Sequence, residues 1–121
     1  MTTLAEGNGS SVWHHDLATD TAELATDHDA GMERFDAIGI AAGLKISERY
    51  RIAADDPLSA NTAFAWTIRR EHADWRVRVE ARLELSATAD DFLVRQSLNA
   101  FEGENSVFAQ HWERRIPRDL V

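Results

Sequence analysis

The stretch from Trp75 to Ser86 limits the available folds more than any other part of this chain. Trp75, Val77, Val79, Ala81, Leu83 and Leu85 alternate with Arg76, Arg78, Glu80, Arg82, Glu84 and Ser86. Strict alternation marks a β-strand with one dry face and one wet face. A helix would scatter the same six apolar residues around its circumference. At ~3.3 Å per residue the strand is about 40 Å long. That length predicts strong coiling, a bulge, or projection into a partner.

The flanking segments repeat the pattern. Phe64, Trp66 and Ile68 alternate with Ala65, Thr67 and Arg69, which predicts a strand over 62–70. Glu71-His72-Ala73-Asp74 reads as a tight connection. Ala87 to Asp91 closes the next hairpin, and Phe92, Val94, Leu98 and Ala100 follow at even spacing. Gly103 within Glu102-Gly103-Glu104-Asn105 supplies a residue that accepts positive φ. Val107–Trp112 is a further strand, and Pro117 limits its extension. The back half is therefore a four-stranded antiparallel meander.

In the front half, Ile46, Tyr50 and Ile52 alternate with Ser47, Arg49 and Arg51, another strand. Val12–Asp16 and Thr21–His28 are further strands. Met32, Phe35 and Ile38 are spaced by three, which also suits a helical turn, but Met32–Ile40 is assigned to strand because Gly31, Gly39 and Gly43 bracket and dilute any helix. Residues 54–59 read as a loop. Residues 1–11, rich in Gly, Ser and Thr, read as a flexible leader before a single β domain over 12–121. The expected fold class is all-β: an antiparallel meander of about eight strands, curled into a barrel-like or sandwich-like sheet. A sheet with one apolar face must cover it. With no amphipathic helix in the sequence, the cover is the sheet itself or a second protein.

Composition narrows the function classes. The chain has 121 residues and no cysteine, which removes disulfides, thiolate catalysis and Cys-based metal sites. A net charge of −8, with neither half basic, disfavours nucleic acid and anionic membranes as partners. The longest apolar run, Ala37–Leu44, is too short to span a bilayer. No signal peptide is visible at the amino terminus, so a cytoplasmic protein is the expectation.

Chemistry-bearing residues are sparse. His14 and His15 are adjacent, so on a strand they point to opposite faces and cannot both chelate one ion. No metal or other cofactor is expected. No G-x-S-x-G elbow is present, and Ser10 and Ser11 lie in the leader. Asp55/Asp56 and Asp90/Asp91 sit in predicted turns, where Asp bonds the local backbone. No catalytic residue is assigned. The remaining signal is aromatic: Phe64, Trp66, Trp75, Phe92 and Trp112 are the candidate ligand or interface residues. They serve a core, a ligand-lined barrel mouth, or a docking patch.

Four segments carry a family resemblance. They are Glu48–Ile52 with Asp56-Pro57-Leu58-Ser59-Ala60; Trp66-Thr67 with Asp74–Arg78; Ala100–Glu104 with Val107-Phe108-Ala109; and the terminal Trp112–Val121. In this order they resemble the C-terminal region of large bacterial hydrolases of the cocaine esterase / X-prolyl dipeptidyl-peptidase type, from Val12 to the last residue. Those hydrolases carry a Ser-Asp-His triad on an α/β-hydrolase domain, followed by β-rich regions. None of the matching positions is a triad position. The resemblance implies a non-catalytic accessory or association domain, packing on a separate hydrolase catalytic domain or on itself as a homodimer. The alternative is a β-barrel that binds a small hydrophobic ligand.

Overall fold

A computed structural model describes residues 1–119. The strands are β1 (Thr2–Ala5), β2 (Asn8–Asp16), β3 (Thr21–Phe35), β4 (Ile40–Ala53), β5 (Asp56–His72), β6 (Trp75–Ala87), β7 (Asp91–Glu102) and β8 (Asn105–Pro117). They form one antiparallel sheet in the order β1-β3-β4-β5-β6-β7-β8, with β2 also pairing β3. β1 and β2 thus lie end to end along the same edge of β3. The eight-stranded all-β meander is the fold class expected from the alternation. The sheet is not closed into a barrel, and among the described residues every close backbone approach is between hydrogen-bonded neighbours. No described helix is long and apolar enough to cross a membrane.

The turns follow from local chemistry. Gly103 takes φ +60° between β7 and β8, as its position predicts. Ala73 takes φ +51° between β5 and β6. After β2, the Asp16 carboxylate accepts the Ala18 amide at 2.9 Å. The Ala18 and Thr19 amides hold its pKa below the ordinary value. The segment 32–40 is a strand only to Phe35. A turn over 36–39 follows, closed by the Gly39 amide donating to Phe35 at 2.8 Å. The loop expected over 54–59 shrinks to residues 54 and 55. The Ser59 hydroxyl accepts the Ala53 amide at 2.8 Å and donates to the Asp56 carbonyl at 2.6 Å, holding the strand opening together.

Residues 1–11, expected as a flexible leader, are paired in the structure. Thr2 and Thr3 face Arg34 and Glu33, and Asn8 to Ser11 face Asp29 to Thr26. The Thr2 hydroxyl donates to the Asp36 carboxylate at 2.8 Å, and the terminal amino group meets the same carboxylate at 3.1 Å. Bonds from Arg34, Thr2 and the amino terminus lower the Asp36 pKa to about 2. Polar strands of this kind have no apolar alternation to announce them.

The register sorts the side chains into two faces. β6 runs without a register shift in either ladder, so no bulge interrupts its length. Trp75, Val77, Val79, Ala81, Leu83 and Leu85 share one face, opposite His72, Arg70, Ile68, Trp66, Phe64 and Thr62 of β5. The other face carries cross-strand ion pairs. Arg49 grips Asp27 at 3.2 Å, Lys45 meets Asp29 at 3.7 Å, and Arg95 meets Glu113 at 3.5 Å. Exposed pairs of this kind contribute only a few tenths of a kcal/mol each.

The apolar face has no second layer. Among the described residues the one buried apolar side chain is the small Ala41, 4% exposed. The chain exposes 8770 Å². A compact monomer of its mass exposes about 6,600 Å² by the area–mass scaling, so the excess is about 2,200 Å².

Candidate functional site

The candidate site is the apolar face itself. The register puts all five sequence-predicted aromatics on it. Phe64 pairs with Leu83, Trp66 with Ala81, Trp75 with His72, Phe92 with Ala87, and Trp112 with Gln96. Period-two alternation is what carries them there together.

The structure gathers four of them into two open clefts. Phe64, Trp66 and Trp112 line one of about 570 Å³, with Tyr50, Leu83 and Leu98. Phe92 lines another of about 460 Å³ with Trp13, Leu24 and Ile52. Trp13 and Phe92 stand on β2 and β7, about 24 Å apart in a flat sheet at ~4.8 Å per strand. A cleft lined by both means the sheet curls with its apolar face inward. Trp75 lines neither cleft and stands at the sheet's end, 51% exposed. The Arg118 guanidinium covers the Phe92 ring at 5.0 Å from its centroid.

Tyr50 and Glu48 belong to the same face, and the sequence reading left them out of the candidate site. Both share the apolar face, since Tyr50 pairs with Thr62 and Glu48 with Phe64. The Tyr50 ring meets Phe64 edge-on, centroids 5.8 Å apart and planes at 78°. Its hydroxyl donates to Glu48 Oε2 at 3.2 Å. Partial desolvation, then the Glu48 charge and hydrogen bond, push the Tyr50 pKa above 10.0. The alternation of Glu48, Tyr50 and Ile52 was the available signal.

Tyr50 is the single tyrosine of the chain, so its titration can be followed directly by phenolate absorbance. Its midpoint is expected above 10.0, moving back toward that value in Glu48→Gln. The folded chain holds this proton more tightly than the unfolded one. The contribution to stability is therefore complete below pH 10.0 and is lost as pH rises through the folded value. An unshifted wild-type midpoint would contradict the observed contact.

The histidine pair behaves as separate groups. His14 faces Glu23 and His15 faces Ala22, on opposite faces of β2. His15 Nε2 lies 2.7 Å from Asp20 Oδ1. Among the described residues no three His, Cys, Asp or Glu side chains are gathered to hold a metal. Asp90 lies in the bend before β7 and Asp91 is the first residue of β7, their amides donating to the Thr88 hydroxyl at 3.4 and 3.0 Å. Asp55 occupies its turn at φ +57°. The site offers apolar surface, two clefts and a few edge charges. Compared with protein-family models, with curated proteins and with solved structures, the chain matches none.

Proposed function

We propose that this chain is a non-catalytic association domain, a curled sheet whose apolar face receives its second layer from another polypeptide. The observation that carries this reading is the bare apolar face, on a chain exposing 8770 Å². Domains are built from at least two packed layers, and contiguous wet apolar patches of this size mark interaction surfaces. The reading agrees with the resemblance to hydrolase C-terminal regions, where a catalytic domain is available to pack upon. The absence of cysteine suits a reducing, cytoplasmic setting.

A second reading, capture of a small hydrophobic ligand, draws on the cleft of about 570 Å³ lined by Phe64, Trp66 and Trp112. That volume lies within the ~300–1,000 Å³ of ordinary ligand sites. Saturable changes in Trp emission on adding single hydrophobic compounds would favour it.

Dye binding tests the association reading. Anilinonaphthalene sulfonate should fluoresce strongly with the dilute folded chain and lose that signal when the face is covered. A dilute folded monomer that leaves the dye dark sinks the reading. Turnover of activated acyl esters by the pure protein would remove the non-catalytic part of it.

A further inference from the structure

We propose that the polypeptide covering the apolar face is a second copy of this chain, the two sheets facing each other across a two-fold axis along β6. This deepens the association reading and rests on it. The first support is area. The excess exposure is about 2,200 Å² per chain, so two facing chains would bury about 4,400 Å², within the ~2,000–5,000 Å² of obligate homodimers. Two curled sheets that meet with their apolar faces inward would enclose one common core.

The second support is the charge pattern about β6. Arg70 on β5 and Glu102 on β7 both pair with Val77 of β6, so the three form one row on the apolar face. Both charges are exposed, and among the described residues neither makes an ion pair. The row is antisymmetric: positive, apolar, negative. A two-fold axis along β6 exchanges β5 with β7, which sets Arg70 of each copy over Glu102 of the other. The pair then forms twice, as an isologous interface requires. Farther out, Glu48 on β4 and Arg114 on β8 repeat the arrangement, one pleat step apart. Glu48 shares the row of Leu83, and Arg114 the row of Leu85. A foreign partner has no reason to match a row that changes sign across β6.

The test uses the full chain. Light scattering and sedimentation equilibrium should give about 27 kDa, twice 13.6 kDa. Arg70→Glu and Glu102→Arg should each weaken the dimer at least ~10-fold, since each variant opposes like charges twice. The double variant R70E/E102R should return it to within about threefold of the parent, because it only exchanges the partners. Ala81→Lys, which puts a charge into the shared apolar core from each copy, should dissociate the dimer into a folded, dye-binding monomer. A wild-type monomer that binds the dye overturns the second copy and leaves the association reading standing. A wild-type monomer that excludes the dye overturns both. A dimer indifferent to the charge exchange and to Ala81→Lys also overturns the proposal, since it forms through another surface.

Discussion

Gly31→Val should cost this protein about 3 kcal/mol or more of stability, read from urea midpoints at an unchanged m-value. Gly31 sits at the irregularity in β3 between Asp29 and Met32, at φ +74°. A β-branched side chain there meets the left-handed penalty of ~1–2 kcal/mol. Its Cβ would also overlap the Ala5 carbonyl and crowd the Gly7 amide at 2.8 Å. Those atoms are backbone, so relief requires β1 and the start of β2 to move. Gly103→Ala is the control. Gly103 has φ +60° but nothing within 4 Å of an added Cβ. It should therefore cost about 1 kcal/mol, the conformational part alone. Equal losses at the two sites would show that the close approach of β1 does not exist in solution.

The second large effect is expected at Trp66→Ala. Trp66 is 48% exposed and Trp13 72% exposed. A tryptophan buries up to ~250 Å² when covered, so Trp66 removes roughly half of that from water within its own chain. At ~25 cal/mol per Å² the truncation should cost about 2–3 kcal/mol, the upper end being reduced by compactness of the unfolded chain. Trp13→Ala, with less area covered, should cost about 1–1.5 kcal/mol. The two losses should be compared at a protein concentration where assembly is constant, because association adds to apparent stability. A Trp13 loss equal to that of Trp66 would contradict the burial gradient across the sheet.

Much of the architecture was legible in the residues, for a definite reason. The pairing of β5 with β6 needs only that two alternating runs place their apolar sets on one side. Phe64, Trp66, Trp75, Phe92 and Trp112 share a face because each lies at an even step along its own strand. β1 and the first half of β2 were illegible because they pair through backbone groups. Their Thr, Ser and Gly side chains carry no period. The break at Phe35 was partly visible in the three-residue spacing of Met32, Phe35 and Ile38, which belongs to a turn rather than to a strand. Closure was not visible at all. Twist and register decide together whether eight strands meet, and neither is fixed by alternation within one strand. The Tyr50–Glu48 contact was within reach of the period, yet their chemistry depends on the curl that sets Tyr50 against Phe64.

From β3 to β8 consecutive strands pair in sequence order, across short turns. In kinetic terms the conformational search is local. Each ladder needs closure of a loop of a few residues, whose entropy cost is small and nearly the same from hairpin to hairpin. The sheet can assemble as a zipper from any hairpin outward, and its cohesion accrues as a sum of nearest-neighbour terms, like that of a solenoid array. Pulled from the β8 end, such a ribbon surrenders one ladder at a time.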